Sequence, residues 1–179
     1  MILVITGVSG SGKTTVGAML AGRRALAGGS GGVVPPGKHW PFADADMFHP
    51  ADSVAKMRAG VPLTDEDRWP WLDAIAAWID ERIAAGESAV VTCSALRRAY
   101  RDFLREGRAD VRMIFLQADR EVVARRLTGR PGHFFPARLL DSQIRDLEPP
   151  EPGEEVLVVR ADGSPEDTVT EIIRGLRAG

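Results

Sequence analysis

The chain opens with a strand, a glycine loop and a helix in immediate succession, and this opening restricts the fold more than any other feature. The apolar run Ile2–Thr6 leads directly into Gly7, Val8, Ser9, Gly10, Ser11, Gly12, Lys13 and Thr14, with Thr15 behind. The spacing is G-x-x-x-x-G-K-[S/T], the pattern of a loop that cradles phosphate. Glycines admit positive φ and close approach to an anion, so the loop amides converge on phosphate oxygens. The positive end of the helix that follows strengthens the field there. Lys13 is placed for the outer phosphates of a nucleoside triphosphate, and the Thr14 hydroxyl for Mg²⁺.

The remaining chain alternates in the same way. Short apolar runs at Phe42–Asp44, 88–92, 111–116 and 156–159 are separated by helical patterns over 13–27, 50–59, 70–85, 96–105, 119–127 and about 139–147, with a last helix from Ser164-Pro165 onward. In the longest helix Leu72, Ile75, Ile79 and Ile83 share a face, with Trp71 and Trp78 beside them as core. The expected fold is α/β, a five-stranded parallel sheet with helices on both faces. At 179 residues it is expected to be one domain over residues 1–179. The Gly/Pro-rich stretch 28–41 reads as a loop insertion, because the piece before it is too small to stand alone. Residues 128–136, with their Gly, Pro, His and Phe, read as a small lid. Ligands of such sheets bind beyond the carboxyl ends of the strands, so the informative segments are 7–14, 44–46, 93–98, 117–119 and 160–164.

Composition removes several function classes. A formal charge of -2, without aromatics interleaved among basic residues, argues against nucleic acid. The apolar runs are too short for a leader or a membrane span, so a soluble, cytoplasmic protein is expected. Cys93 is the sole cysteine, which excludes an intrachain disulfide and reads as buried filler. Only Lys13, Lys38 and Lys56 are lysines among 23 basic residues, so a lysine inside the glycine loop is a selective choice.

Several strand exits carry chemistry. Asp44 and Asp46 follow the second strand: one carboxylate suits Mg²⁺, and the other can accept a proton from an attacking hydroxyl. His49-Pro50 reads equally as a loop joint ahead of a helix and as a hydrogen-bond partner for a polyol. Arg68 ends an acidic stretch, 64–67, and offers a bidentate fork for a carboxylate if it faces the cleft. Ser94 follows the third strand, and Arg97, Arg98 and Arg101 come next, where an anionic acceptor would lie. Arg126 and Arg130 are candidates for cations beside a migrating phosphoryl group, with a salt-bridged helix face as the alternative; His133 lies in the same lid segment.

With those residues in place, the chain closely resembles the gluconate kinase (gluconokinase) family. The matching stretches are residues 7–15, Asp44-Ala45-Asp46-Met47-Phe48-His49-Pro50, Lys56-Met57, residues 60–68, Pro70-Trp71-Leu72, Cys93-Ser94-Ala95-Leu96-Arg97-Arg98, Tyr100-Arg101-Asp102, Arg130-Pro131-Gly132-His133-Phe134, and Leu139-Leu140 through Ser142-Gln143 to Leu147-Glu148. The resemblance implies transfer of the ATP γ-phosphate to the 6-hydroxyl of D-gluconate, with Mg²⁺, within the pentose phosphate or Entner–Doudoroff routes, and a homodimer. It also implies an adenylate-kinase-like P-loop sheet and a lid over 126–133. By analogy with the related shikimate kinases, the segment containing Asp162 and Ser164 would flank adenine. In this reading Lys13, Asp46 and Arg126 act in catalysis, and the loop with Arg130 holds the nucleotide. His49, Arg68, Ser94, Arg97 and His133 meet the acceptor. Stretch 28–41 is longer than the family's usual connection, and Ser53 stands where relatives often carry Asn. A kinase for another small acid or polyol such as shikimate is the alternative within this class; a nucleotide-binding switch without an acceptor leaves the paired acids unexplained.

Overall fold

The computed structural model describes residues 1–22, 39–128 and 137–178. Most of the 28–41 connection and of the 128–136 lid segment, including Arg130 and His133, lies outside the described residues. Five parallel strands form one sheet in the order β2-β3-β1-β4-β5: β1 (Ile2–Thr6), β2 (Phe42–Asp44), β3 (Ala89–Thr92), β4 (Val111–Gln117) and β5 (Val156–Arg160). The first strand is central, with Ile2 opposite Ala89 on one side and Val111 on the other. All five of its residues are buried, as expected for a strand covered on both faces.

The helices are α1 (Lys13–Gly22), α2 (Ala51–Arg58), α3 (Asp65–Ala84), α4 (Arg98–Arg105), α5 (Arg120–Thr128), α6 (Ala137–Asp146) and α7 (Pro165–Ala178). Alternation along β1 divides the core. Ile2 and Val4 meet Leu72, Ile75 and Ile79 of α3 and Tyr100 and Leu104 of α4. Leu3 and Ile5 meet Val16 and Leu20 of α1 and Val169 and Ile172 of α7. A third cluster of Val8, Leu96, Val123 and Leu140 joins the glycine loop to α5 and α6 at the carboxyl end of the sheet. The parallel five-stranded sheet carries helices on both faces, as expected.

Two helix starts differ from the sequence reading. The helix expected from Pro70 begins at Asp65, because Thr64 and Asp67 form a capping box ahead of it. Pro70 then sits inside the helix at an exposed position. The fourth helix begins at Arg98 rather than near Leu96, since Ala95 takes φ +27° and turns the chain before it.

Candidate active site

The strand–loop–helix opening folds as its glycines require. Gly7, Gly10 and Gly12 have φ of +139°, +83° and +101°. A Cβ on Gly7 would lie 2.8 Å from the Leu116 carbonyl oxygen, so any larger residue forces this loop off the sheet edge. Lys13 donates from Nζ to the Val8 carbonyl at 3.0 Å, folding its ammonium over the loop's own concavity. The Thr14 hydroxyl donates to Asp44 Oδ2 at 2.7 Å, and Asp44 Oδ1 accepts the Asp46 backbone N–H at 3.2 Å. Asp44 therefore caps the 3₁₀ turn Ala45–Phe48 that carries Asp46. Thr14 and Asp44 present hard oxygen donors side by side at the loop mouth, a set that fits Mg²⁺.

Beyond the acid pair lies a cleft of about 120 Å³ lined by Asp46, His49, Arg68, Ser94, Ser9 and Gln143, among others. Trp71 fixes its floor: the indole N–H donates to the Ala45 carbonyl at 2.7 Å, and the ring stacks on His49 at 4.6 Å between centroids. Burial is the main force lowering the His49 pKa; nearby Asp46 opposes it and Arg68 adds to it, so the imidazole is held neutral. Its Nδ1 is buried without a hydrogen-bond partner among the described residues. Ser94 lies against the phosphate loop, its carbonyl accepting the Gly7 N–H at 3.4 Å. Cys93 is filler as expected: burial pushes its thiol up to about 12, far from a thiolate at neutral pH.

The arginines are arranged differently from the sequence reading. Arg68 reaches the cleft, but its Nη2 already donates to Asp146 at 2.7 Å and its Nη1 to the Tyr100 hydroxyl at 3.4 Å. Arg97 does not line the cleft; it pairs with Asp65 at 2.6 Å and with Asp146 at 3.5 Å. Two cations and two carboxylates thus form a closed network, with the Tyr100 hydroxyl donating to Asp65 at 2.5 Å. Arg101 is corrected outright. It is 1 % exposed and bonds Glu154 and the Leu96 and Glu148 carbonyls, so it cannot meet a ligand.

The opposite flank of the phosphate loop holds a second cavity of about 210 Å³, lined by residues including Gly10, Gly12, Thr15, Arg126, Ala161 and Gly163. Arg126 donates to the Ala161 carbonyl at 2.8 Å, to Gly163 at 3.0 Å and to Ser11 at 3.3 Å. Its guanidinium is engaged at this second cavity, away from the cleft that Asp46 and His49 line. The salt-bridged helix face is likewise not what holds it, because all three partners are backbone carbonyls. Asp162 and Ser164 do not line the cavity with their side chains. Asp162 accepts the Asp119 N–H at 2.8 Å and pairs with Arg160, and Ser164 caps α7 through the Asp167 N–H at 3.1 Å. The segment flanks the cavity through its backbone instead.

No protein-family model matches the chain. A gluconokinase of Gluconobacter oxydans is 41 % identical over 176 residues, covering 98 % of this chain and 91 % of that protein. The chain belongs to the gluconokinase family. A crystal structure of a gluconokinase from Sinorhizobium meliloti superposes with a TM-score of 0.77 at 40 % identity, over 99 % of this chain and 91 % of that one. An unliganded sugar kinase from Janibacter gives 0.81 at 43 % identity, over 98 % and 94 %. Within this family frame, three contributors escaped the sequence reading as site residues. Tyr100 and Asp146 close the arginine network, and Gln143 contacts the phosphate loop. The Ser142-Gln143 pair stood within the family's matching stretches, but its helical setting gave no sign of which residue faces the loop.

Proposed function

We propose that the chain transfers the γ-phosphoryl group of ATP to the 6-hydroxyl of D-gluconate, giving 6-phospho-D-gluconate. The observation that carries this reading is the placement of the phosphate loop between two cavities: Arg126 and Thr15 on one side, Asp46 and His49 on the other. ATP then lies with its base against 161–163 and its phosphates in the loop, and the acceptor enters the cleft beside Asp46. Asp46 orients the acceptor hydroxyl and takes its proton as the oxygen attacks phosphorus. Lys13 leaves the Val8 carbonyl to neutralise charge on the outer phosphates. Thr14 and Asp44 are the residues that would hold Mg²⁺, which supplies charge neutralisation on the phosphates when bound. His49, held neutral on Trp71, offers a nitrogen to a sugar hydroxyl, and Arg68 brings positive charge toward the acceptor carboxylate. Arg126 acts on the nucleotide. Arg130 and His133 complete the reading from the lid, and a homodimer in the cytoplasm belongs to it; among the described residues no helix is long and apolar enough to cross a membrane.

A coupled assay with ATP and a panel of sugar acids tests it. D-gluconate is expected to be turned over in preference to shikimate and other small acids. Asp46→Asn is expected to lower kcat by about 100-fold or more, the usual contribution of a positioned general base, with ATP affinity kept within about threefold. Turnover of Asp46→Asn near the parent rate overturns the role of that carboxylate, and preference for another acid overturns the acceptor.

A further inference from the structure

One contact ties the acceptor cleft to the phosphate loop directly. Gln143, on α6, accepts the Ser9 N–H with its Oε1 at 2.7 Å across 134 positions of sequence. The direction of that N–H fixes the carboxamide: the donor demands the oxygen, so the NH₂ group points the other way. The Nε2 group has no hydrogen-bond partner among the described residues, while Gln143 lines the cleft together with Asp46, His49 and Ser94. Its helix is anchored independently, through Asp146 to Arg68 at 2.7 Å and through Asp141 to Arg120 at 2.7 Å. A planar group held at its oxygen end by the loop and at its backbone by two ion pairs presents its two N–H donors at a set position. That position lies between the phosphate cradle and the acceptor.

We propose that Gln143 is an acceptor-binding residue: its NH₂ donates to a hydroxyl oxygen of the polyol acid while its carbonyl stays on Ser9, so that acceptor and phosphate loop are held in one register. The assignment rests on the sugar-acid kinase reading above and deepens it. Gln143→Met keeps length and removes both ends of the bridge; Gln143→Ser serves if the first variant does not fold. The parent chain and each variant are assayed with ATP and D-gluconate, with melting temperature recorded alongside. The expected result is a KM for D-gluconate raised about tenfold, the worth of a well-placed hydrogen bond in a cleft, with KM for ATP and melting temperature little changed. Calorimetric binding of D-gluconate to the two proteins shows the same contrast without turnover. An acceptor KM within twofold of the parent overturns the assignment, and so does an equal rise in KM for ATP, which would put the amide on the nucleotide. If the parent ignores D-gluconate but uses another acid, the acceptor reading fails by itself, and the Gln143 comparison is made on that acid.

Discussion

The buried pair Arg101–Glu154 gives the sharpest quantitative test of how the acceptor loop is supported. The two side chains are 1 % and 3 % exposed, and Arg101 Nη2 lies 2.9 Å from Glu154 Oε2. The same guanidinium bonds the Leu96 carbonyl at 3.0 Å and the Glu148 carbonyl at 2.9 Å. Leu96 lines the acceptor cleft, so this arginine braces the loop from behind. Arg101→Met leaves a carboxylate in the interior without its cation, and breaking one half of such a pair costs about 3–5 kcal/mol. For a chain of this length each kcal/mol moves the melting temperature by about 2–4 °C, so a fall of roughly 6–20 °C is expected by calorimetry or circular dichroism. Arg101→Met/Glu154→Leu should recover at least about 2 kcal/mol, because an apolar pair of similar volume has no charge to desolvate. The Leu96 carbonyl keeps the Glu148 N–H at 3.0 Å in both variants, which limits the residual loss. Acid supplies an independent check. Burial by itself would raise the Glu154 pKa, but the Glu151 N–H and Arg101 outweigh it and hold the carboxyl low. A depressed carboxyl stabilises the fold above its unfolded pKa, and that stability is lost as pH falls through the folded value. The gap between parent and Arg101→Met should therefore narrow below about pH 4. A single variant that melts within about 3 °C of the parent, or a double variant no better than the single, refutes the reasoning.

Two further outcomes follow from the site's supports. The His49 pKa is lowered chiefly by burial, so between the ordinary value near 6.5 and the folded value the unfolded chain binds the extra proton. Stability should fall as pH drops through that window, by at most about 1.4 kcal/mol per pH unit for one proton, and His49→Gln should flatten the slope in urea titrations at stepped pH. Thr64→Ala removes the cap that starts α3 five residues before Pro70 and should cost about 1 kcal/mol, or about 2–4 °C in melting temperature.

Sheet and phosphate loop were legible because their signals are local. A strand needs only its own apolar run, and a phosphate cradle needs glycines at fixed spacing; both β1 and the loop match residue for residue. The start of α3 was misplaced for an opposite reason. Pro70 is a strong local punctuator, yet Thr64 and Asp67 three residues apart outweigh it by satisfying two orphan N–H groups at once. Arginine roles were the least legible part. The run Arg97, Arg98, Arg101 looks like one basic face, but helical rotation and the partners offered by distant segments separate its members. Arg97 turns to Asp65 and Asp146, Arg98 meets Glu148 through its backbone N–H, and Arg101 goes inward to Glu154. The deciding carboxylates lie between 32 and 53 positions away, a separation that no periodicity encodes. The consequence for function is specific: Arg68, 12 % exposed and already paired with Asp146 at 2.7 Å and Asp65 at 3.7 Å, is not a free anion receptor waiting in the cleft. An incoming carboxylate must share or displace Asp146, and Asp146 ends the helix that carries Gln143. On the proposed reading, what Asp146 gives up offsets part of what the acceptor carboxylate gains at Arg68, so an uncharged polyol of the same length should lose less binding than the full worth of one ion pair, and a larger loss refutes the competition.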